Sequence, residues 1–432
     1  MPITLWTENG NHGKYTDYGC SPQILQNTIE WLNRNKQNLV SFDLAMYLFN
    51  NSTFLDTLLD IANAGCRVTV YSIPLEGYDN YKRKDIYSFQ DHNRIGNFTK
   101  YEIACDIYRR IRMQNNPNFE FRIVPHMYLR SPRVKPFSRG NMPYSLHCKT
   151  FLATLNNGES YAGITSSNLA VRDEEKLEMA SVIPLGENET ASAVDFFEGL
   201  RDNSFAIREF DESADYSHFQ VHMRPQPAGG NLKYTAPFYR DSSIAFETGI
   251  RNAIEAAEER VIICAQHVSA YNYSYEKSFR DPQAGTGSVS VPGFLSAAID
   301  KAKRGVGVFL FSQTYADTLG DHGCRKPENT RAFIAFAEAA RNSGCRYKAN
   351  DHLHSKFVVA DNTAIISTNN FTPTQFIYLP YVDIPAFERI PNYSYSGIFC
   401  EFGAYYVSRD EDLVHRLVEY ARILWRNSRL MF

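Results

Sequence analysis

An excess of charge of either sign is missing from this chain. Its 45 Lys and Arg stand against 48 Asp and Glu, for a formal net charge of −3 over 432 residues. That balance excludes a basic coat for sequence-blind nucleic-acid binding and leaves room only for a local patch. Cysteine is sparse: the eight, at 20, 66, 105, 148, 264, 324, 345 and 400, never pair as C-x-x-C, and several sit inside apolar runs. This usage argues against a disulfide scaffold and a structural zinc site, and it fits thiols in a reducing cytoplasm. No apolar run reaches 18 residues, and the opening MPITLWTENGNHGKYTD has no apolar core. The sequence therefore predicts neither a signal peptide nor integral membrane association.

Aromatic side chains are plentiful. With 27 Tyr and 29 Phe, rings must fill a core or line a cleft. The length suits two domains or a duplicated fold, and the chain reads as one pattern written twice. In the first half, Ser21-Pro22 caps a helix over 24–35. A strand (39–42), a helix (54–65) closed by Gly65, and strands at 67–72 and 119–124 follow, then SLHCKTFLATL (145–155). The second half repeats the order: helix 241–259, strand 260–265, helix 294–305, strand 306–312, helix 330–344, then HLHSKFVVA (352–360). Strands alternating with helices predict an α/β protein of two halves, each a mostly parallel sheet flanked by helices. The Pro- and Gly-rich HMRPQPAGGN (222–231) suggests halves at 1–208 and 235–432 joined by a linker at 209–234. Residues 73–118 read as a polar and aromatic insertion without a legible role.

Two matched segments carry the chemistry. His147-Cys148-Lys149 is trailed by Thr165-Ser166-Ser167-Asn168, and His354-Ser355-Lys356 by Asp361 and then Ser367-Thr368-Asn369-Asn370. Alternation along a strand puts His and Lys on one face and Cys148 or Ser355 on the other. Two imidazoles can divide the work on a phosphate diester, one attacking phosphorus and the other protonating the leaving oxygen. Two ammonium groups neutralise the non-bridging oxygens. Asn168, Asn370, Ser166 and Thr368 can donate further hydrogen bonds. Such a site needs no metal and no cofactor.

These segments resemble the phospholipase D superfamily, whose signature is H-x-K-x4-D with a downstream G-S-x-N. The second half matches at His354, Lys356, Asp361 and the run ending at Asn370. The first matches at His147, Lys149, Ser166 and Asn168, and departs at Thr154 and Thr165, where the family has Asp and Gly. Glu178 and Glu401 look like the family's further acidic residue. The motifs cover a small part of the chain, and the repeat around them extends the resemblance to most of it. The resemblance implies two halves related by a pseudo-twofold axis with one active site between them. It also implies a covalent phosphohistidine mechanism, with His147 as nucleophile and His354 as acid and then base. Glu178 and Glu401 would hold the imidazole tautomers, and Asp361 would orient groups at the site, with Thr154 making it asymmetric.

The stretch 121–147 interleaves Arg130, Arg133, Lys135 and Arg139 with Tyr128, Phe137 and Tyr144. Cations track a phosphate backbone and rings stack on bases. Arg325, Lys326 and Arg331 are candidates for a second basic patch. Asp43, Gln266 and His267 are candidates for lining the cleft at the carboxyl ends of the first strands. His352 reads as a neighbour of the motif rather than a metal ligand, and Cys148 as a structural thiol. The leading expectation is a cytoplasmic nuclease with nucleic acid as substrate. The alternatives are a phospholipase or phosphatidyltransferase, and a catalytically impaired nucleic-acid-binding relative. A partner protein or a homo-oligomer stays open.

Overall fold

The computed structural model describes residues 2–8, 22–47, 49, 51–73, 94–95, 98–124, 146–168, 176–210, 221–266, 268, 293–313, 327–371, 375–376, 379–385 and 394–431. It divides into two compact units, with the boundary between Lys233 and Tyr234.

The first unit contains β1 (Thr4–Thr7), α1 (Pro22–Asn35), β2 (Leu39–Met46), α2 (Ser52–Asn63), β3 (Arg67–Ser72), a short β4–β5 pair (Arg94–Ile95, Phe98–Thr99) and α3 (Lys100–Arg112). It continues with β6 (Phe119–Ile123), β7 (Lys149–Leu155), β8 (Ser160–Thr165), β9 (Met179–Pro184), α4 (Glu187–Asp202) and β10 (Phe205–Ala206). Its eight-stranded sheet runs β1-β9-β8-β7-β2-β3-β6-β10. The pairs β2–β3 and β3–β6 are parallel, and the pairs β2–β7, β7–β8, β8–β9, β9–β1 and β6–β10 are antiparallel.

The second unit has β11 (Leu232–Thr235), α5 (Ser242–Ala256), β12 (Arg260–Cys264), α6 (Gly293–Lys303), β13 (Gly307–Ser312), α7 (Pro327–Asn342), β14 (Arg346–Ala349), β15 (Phe357–Ala360) and β16 (Thr363–Ser367). A hairpin of β17 (Leu379–Pro385) and β18 (Ser394–Phe399), then β19 (Gly403–Ser408), α8 (Glu411–Arg426) and β20 (Arg429–Leu430) complete it. Its sheet order, β11-β19-β16-β15-β12-β13-β14-β20, matches the first sheet strand for strand. The duplicated α/β architecture is as the sequence suggests, but the sheets are mixed rather than mostly parallel. The parallel pairs, β2–β3–β6 and β12–β13–β14, join strands linked through crossover helices, and the other pairs of described register in the two sheets are antiparallel.

Local chemistry fixes the elements. Asn51 caps α2 by accepting the Phe54 N–H at 2.9 Å, and Asp410 caps α8 by accepting that of Leu413 at 2.8 Å. Gly65, at φ 102°, turns the chain out of α2. In each sheet one face packs on helices: Phe42, Leu44, Phe54, Leu58, Ile61, Val68 and Ile107 in the first unit, Phe246, Ile250, Val261, Ile263, Phe294, Leu310 and Val358 in the second. The segment 73–118, opaque as sequence, contains a crossover helix. α3 buries Ile107, Tyr108 and Ile111 at helical spacing, beside Arg109, Arg110 and Arg112. Residues 221–224 tie back to α4: Arg224 bonds Asp195, Glu198 and Asp202 at 2.7–2.9 Å, and the His222 N–H donates to Asn203 at 2.7 Å.

Candidate active site

His147 to Lys149 and His354 to Lys356 stand at matching places, at the mouths of β7 and β15. Lys149 pairs with Met46 at the end of β2, and Phe357 pairs with Cys264 at the end of β12. Both motifs thus lie where the parallel strands end, the side on which open α/β sheets carry their ligands. Both lysine side chains are fully buried, at 0% exposure, and His354 is 5% exposed. Burying an ammonium group costs several kcal/mol unless it gains partners. Each lysine folds back onto the carbonyl of the histidine two residues earlier, at 3.1 Å for Lys149 and 2.6 Å for Lys356. Lys149 Nζ also lies 3.3 Å from His147 Nε2. The Tyr47 ring centre is 5.3 Å from the His147 ring and 5.6 Å from Lys149 Nζ, so an aromatic face shields this ammonium. Tyr47, just beyond β2, carried no signal in the sequence. Cys148 is fully buried, and Ser355 Oγ lies 2.8 Å from the Tyr420 hydroxyl.

The following hairpins repeat atom for atom. The Ser166 N–H donates to the Met179 carbonyl at 2.9 Å, and the Met179 N–H returns to Ser166 Oγ at 2.9 Å. The Thr368 N–H donates to the Ala404 carbonyl at 3.0 Å, and the Ala404 N–H returns to Thr368 Oγ1 at 3.0 Å. Thr165 and Ser367 also correspond. Each hydroxyl donates to the same carbonyl, at 3.2 and 3.3 Å, and accepts the N–H two residues on, at 3.0 and 2.9 Å. A hydroxyl holds one proton. Ser166 directs its own at the Glu178 carboxylate, and Thr368 directs its own at Asn369 Oδ1, 3.1 Å away. At 0% exposure, both hydroxyls clamp strand to strand. Ser166 and Thr368, expected to bind phosphate, thus have their hydroxyl protons directed at protein acceptors in this structure. Asn168 and Asn370 are each 6% exposed.

The acidic residues divide differently from expectation. In the hydrogen-bond register, Glu178 precedes Met179 as Gly403 precedes Ala404. Glu401 lies two residues upstream of the position equivalent to Glu178, so the two carboxylates are not register counterparts. The second unit fills that place with Asn369: a Cβ on Gly403 would overlap the Asn369 carboxamide, whose Nδ2 also reaches Thr235 Oγ1 at 3.3 Å. Asp361 is not at the site either. It forms the β15–β16 turn at φ 49°, and its carboxylate accepts the N–H groups of Glu258, Glu259 and Arg260 at 2.6, 3.0 and 2.7 Å. Burial pushes its pKa up, but those three donors outweigh it and hold the carboxyl below its ordinary value. Thr154 occupies the same far end of β7, opposite Ser41, so its departure from the motif leaves the site untouched.

Asp43 lies within β2 rather than beyond it, facing Thr69. Burial raises its carboxyl above the ordinary value, against lowering by a Thr69 hydrogen bond and by Arg67 and Arg201. Gln266 does reach the second motif, with Oε1 3.5 Å from Asn370 Nδ2. His352 is exposed on a turn, its N–H bonded to Asn350. Arg130, Arg133, Lys135, Arg139, His267, Arg325 and Lys326 lie outside the described residues, as does the side chain of Arg331. Among the described residues no three His, Cys, Asp or Glu side chains gather as metal ligands, and no helix is long and apolar enough to cross a membrane.

Two eight-stranded mixed sheets of one topology, each with a His-x-Lys at the mouth of its fourth strand from the β1 or β11 edge, define a duplicated α/β protein. The fold is phospholipase D-like, two α/β units as in a solved phosphatidylserine synthase. Phosphatidylserine synthase from Haemophilus influenzae Rd KW20 superposes with a TM-score of 0.54 and 11% identity, over 99% of this chain and 87% of that one. Polyphosphate kinase from Porphyromonas gingivalis gives a TM-score of 0.47 at 10% identity, over 98% of this chain and 50% of that one, so the chain spans half the kinase's length. A yeast tyrosyl-DNA phosphodiesterase mutant gives 0.43 at 10% identity, over 94% and 89% of the two chains. At these identities the likeness is one of fold. No protein-family model and no curated protein matches the sequence.

Proposed function

We propose that the chain is a metal-independent phosphodiesterase, and that its substrate is nucleic acid. The observation that supports this most is the repetition, in each unit, of a His-x-Lys whose fully buried ammonium group is folded onto the histidine carbonyl. A protein core gains little from two such charges. A phosphate diester gains much from them, because its non-bridging oxygens carry charge throughout transfer. In the proposed reaction a ring nitrogen of His147 attacks phosphorus and the bond to the leaving oxygen breaks. That oxygen takes a proton from His354. A water then attacks the phosphohistidine, passes a proton to His354, and the P–N bond breaks. Lys149 and Lys356 balance the phosphoryl charge, and Asn168 and Asn370 orient its oxygens. Glu178 and Glu401 hold charge and tautomers around the imidazoles. The alternation of cations and rings through 121–147 supports a nuclease, and Arg130, Arg133, Lys135 and Arg139 are its proposed backbone contacts.

The test is cleavage of a labelled oligonucleotide in EDTA. His147→Ala and His354→Ala should each lower turnover at least ~1,000-fold while the melting curve stays put, and acid quenching should trap phosphate on His147. Cleavage that requires a divalent cation would refute the two-imidazole reaction. Head-group release from phospholipid vesicles without oligonucleotide cleavage would move the substrate to lipids.

A further inference from the structure

The two half-sites share a backbone but not a lining. Met46 pairs with Lys149, and Cys264 pairs with Phe357, the residue after Lys356, so by continuing the register Tyr47 and Gln266 occupy equivalent positions. The Ser72 carbonyl accepts the Val124 N–H and the Ser312 carbonyl accepts the Asn350 N–H, each at 2.9 Å. Ile73 and Gln313, the next residues, are therefore equivalent too. Where the first unit offers a ring and an aliphatic side chain, the second offers two carboxamides.

Backbone and side-chain hydrogen bonds tie Gln266 and Gln313 to each other, to Asn370 and to the residue before His354. The Gln313 N–H donates to the Gln266 carbonyl at 2.9 Å, and Gln313 Nε2 donates to the carbonyl of Leu353, the residue before His354, at 3.1 Å. Gln266 Oε1 accepts from Asn370 Nδ2 at 3.5 Å. Gln313, Gln266 and Asn370 are only 1%, 8% and 6% exposed. Yet among the described residues Gln313 Oε1 and Asn370 Oδ1 have no hydrogen-bond partner. Buried amide oxygens are almost always paired, and leaving one unpaired is unfavourable. Exchanging O and N within a carboxamide still leaves one polar end unmatched.

We propose that Gln313 and Gln266, together with Asn370, form a specificity subsite that accepts a hydrogen-bond donor of the substrate beside the scissile phosphate. The donor is a nucleoside group, either a sugar hydroxyl or an exocyclic base amine. The subsite rests on the phosphodiesterase reading and deepens it. A nucleoside flank satisfies the amide oxygens, whereas a diacylglycerol flank leaves them stranded.

The experiment measures kcat/KM for Gln313→Met and Gln266→Met on a short ribo-oligonucleotide, its deoxy counterpart and bis(p-nitrophenyl) phosphate, a diester without donors. Each variant should lose about tenfold more on at least one oligonucleotide than on the donor-free diester, mainly through KM. A larger loss on the ribo-oligonucleotide identifies the 2′-hydroxyl, and equal losses on both identify a base amine. Equal losses on all three substrates, or none, overturn the subsite. Absence of turnover in the unaltered protein defeats the phosphodiesterase reading instead. The subsite is then judged by anisotropy of a fluorescein-labelled oligonucleotide, whose Kd should rise about tenfold in Gln313→Met, with an unchanged Kd overturning it. Melting curves confirm that each variant folds.

Discussion

Replacing Asp361 by alanine should destabilise the second unit without touching catalysis. Lys356 lies five positions back along the chain, roughly 17 Å at strand spacing, so the carboxylate is remote from phosphorus. What it holds is the chain entering β12, through the N–H groups of Glu258, Glu259 and Arg260. A net ~1 kcal/mol for each of three such bonds is an upper figure, since the site is half-open and water replaces part of each. Alanine at φ 49° adds about 1 kcal/mol of backbone strain. With those bonds discounted, the sum is ~2–3 kcal/mol, or roughly 4–12 °C in melting temperature for a unit of this size. Asparagine, which tolerates the left-handed turn and keeps one acceptor, should lose about half as much. The pH dependence has a definite sign. The folded-state pKa lies below the unfolded value, so the stabilisation is full above the ordinary carboxylate value of about 3.9 and fades as pH falls through the folded-state value. Thermal melts of Asp361→Ala against the unaltered chain should differ by a constant amount from pH 5 to 8 and narrow below pH 4 to the part that backbone strain contributes. An oligonucleotide assay run well below both melting points should show no change in kcat. Loss of kcat with an unshifted melt would return Asp361 to the site and refute the reasoning.

Gly403→Ala should cost ~1–3 kcal/mol, because the new methyl overlaps the Asn369 carboxamide. Adding Asn369→Ser, which copies Ser167 of the first unit, should recover most of that in urea titrations, and a single variant as stable as the parent would show that the two residues do not interlock. Asp43→Asn should raise stability at pH 7 by roughly 1 kcal/mol. Burial raises this carboxyl, so its ionised form is carried at neutral pH, and the penalty disappears as pH falls through the folded-state value toward the unfolded one. A melting difference that grows toward pH 3 would contradict that sign.

The repeated order of helices and strands was legible because apolar periodicity is local, and the His-x-Lys pairs because their residue types are rare and doubled. The crossover helix α3 was hidden because Arg109, Arg110 and Arg112 surround its apolar stripe. The mixed sense of the sheets was hidden because strand direction depends on which strands pair, and no single segment records that. Gln266 could be placed near the site from strand order alone, whereas Gln313 could not. Its position follows from the register of β13 on β12, which emerges only when both strands are laid side by side.

The acidic residues show why a motif misleads even where it identifies the fold. Spacing in the sequence aligns Glu401 with Glu178, because both precede an apolar strand by a similar interval. Backbone hydrogen bonds align Glu178 with Gly403, because Ser166 and Thr368 grip Met179 and Ala404 identically. The job of holding the clamp hydroxyl has moved between strands: a carboxylate on β9's approach does it in the first unit, and a carboxamide on β16's exit does it in the second. Neither change is tolerable alone, since Asn369 needs the hydrogen of Gly403 and the Thr368 hydroxyl needs an acceptor. One hydroxyl is held by a carboxyl group and the other by a carboxamide. The two clamps therefore differ in chemistry although their backbone hydrogen bonds correspond.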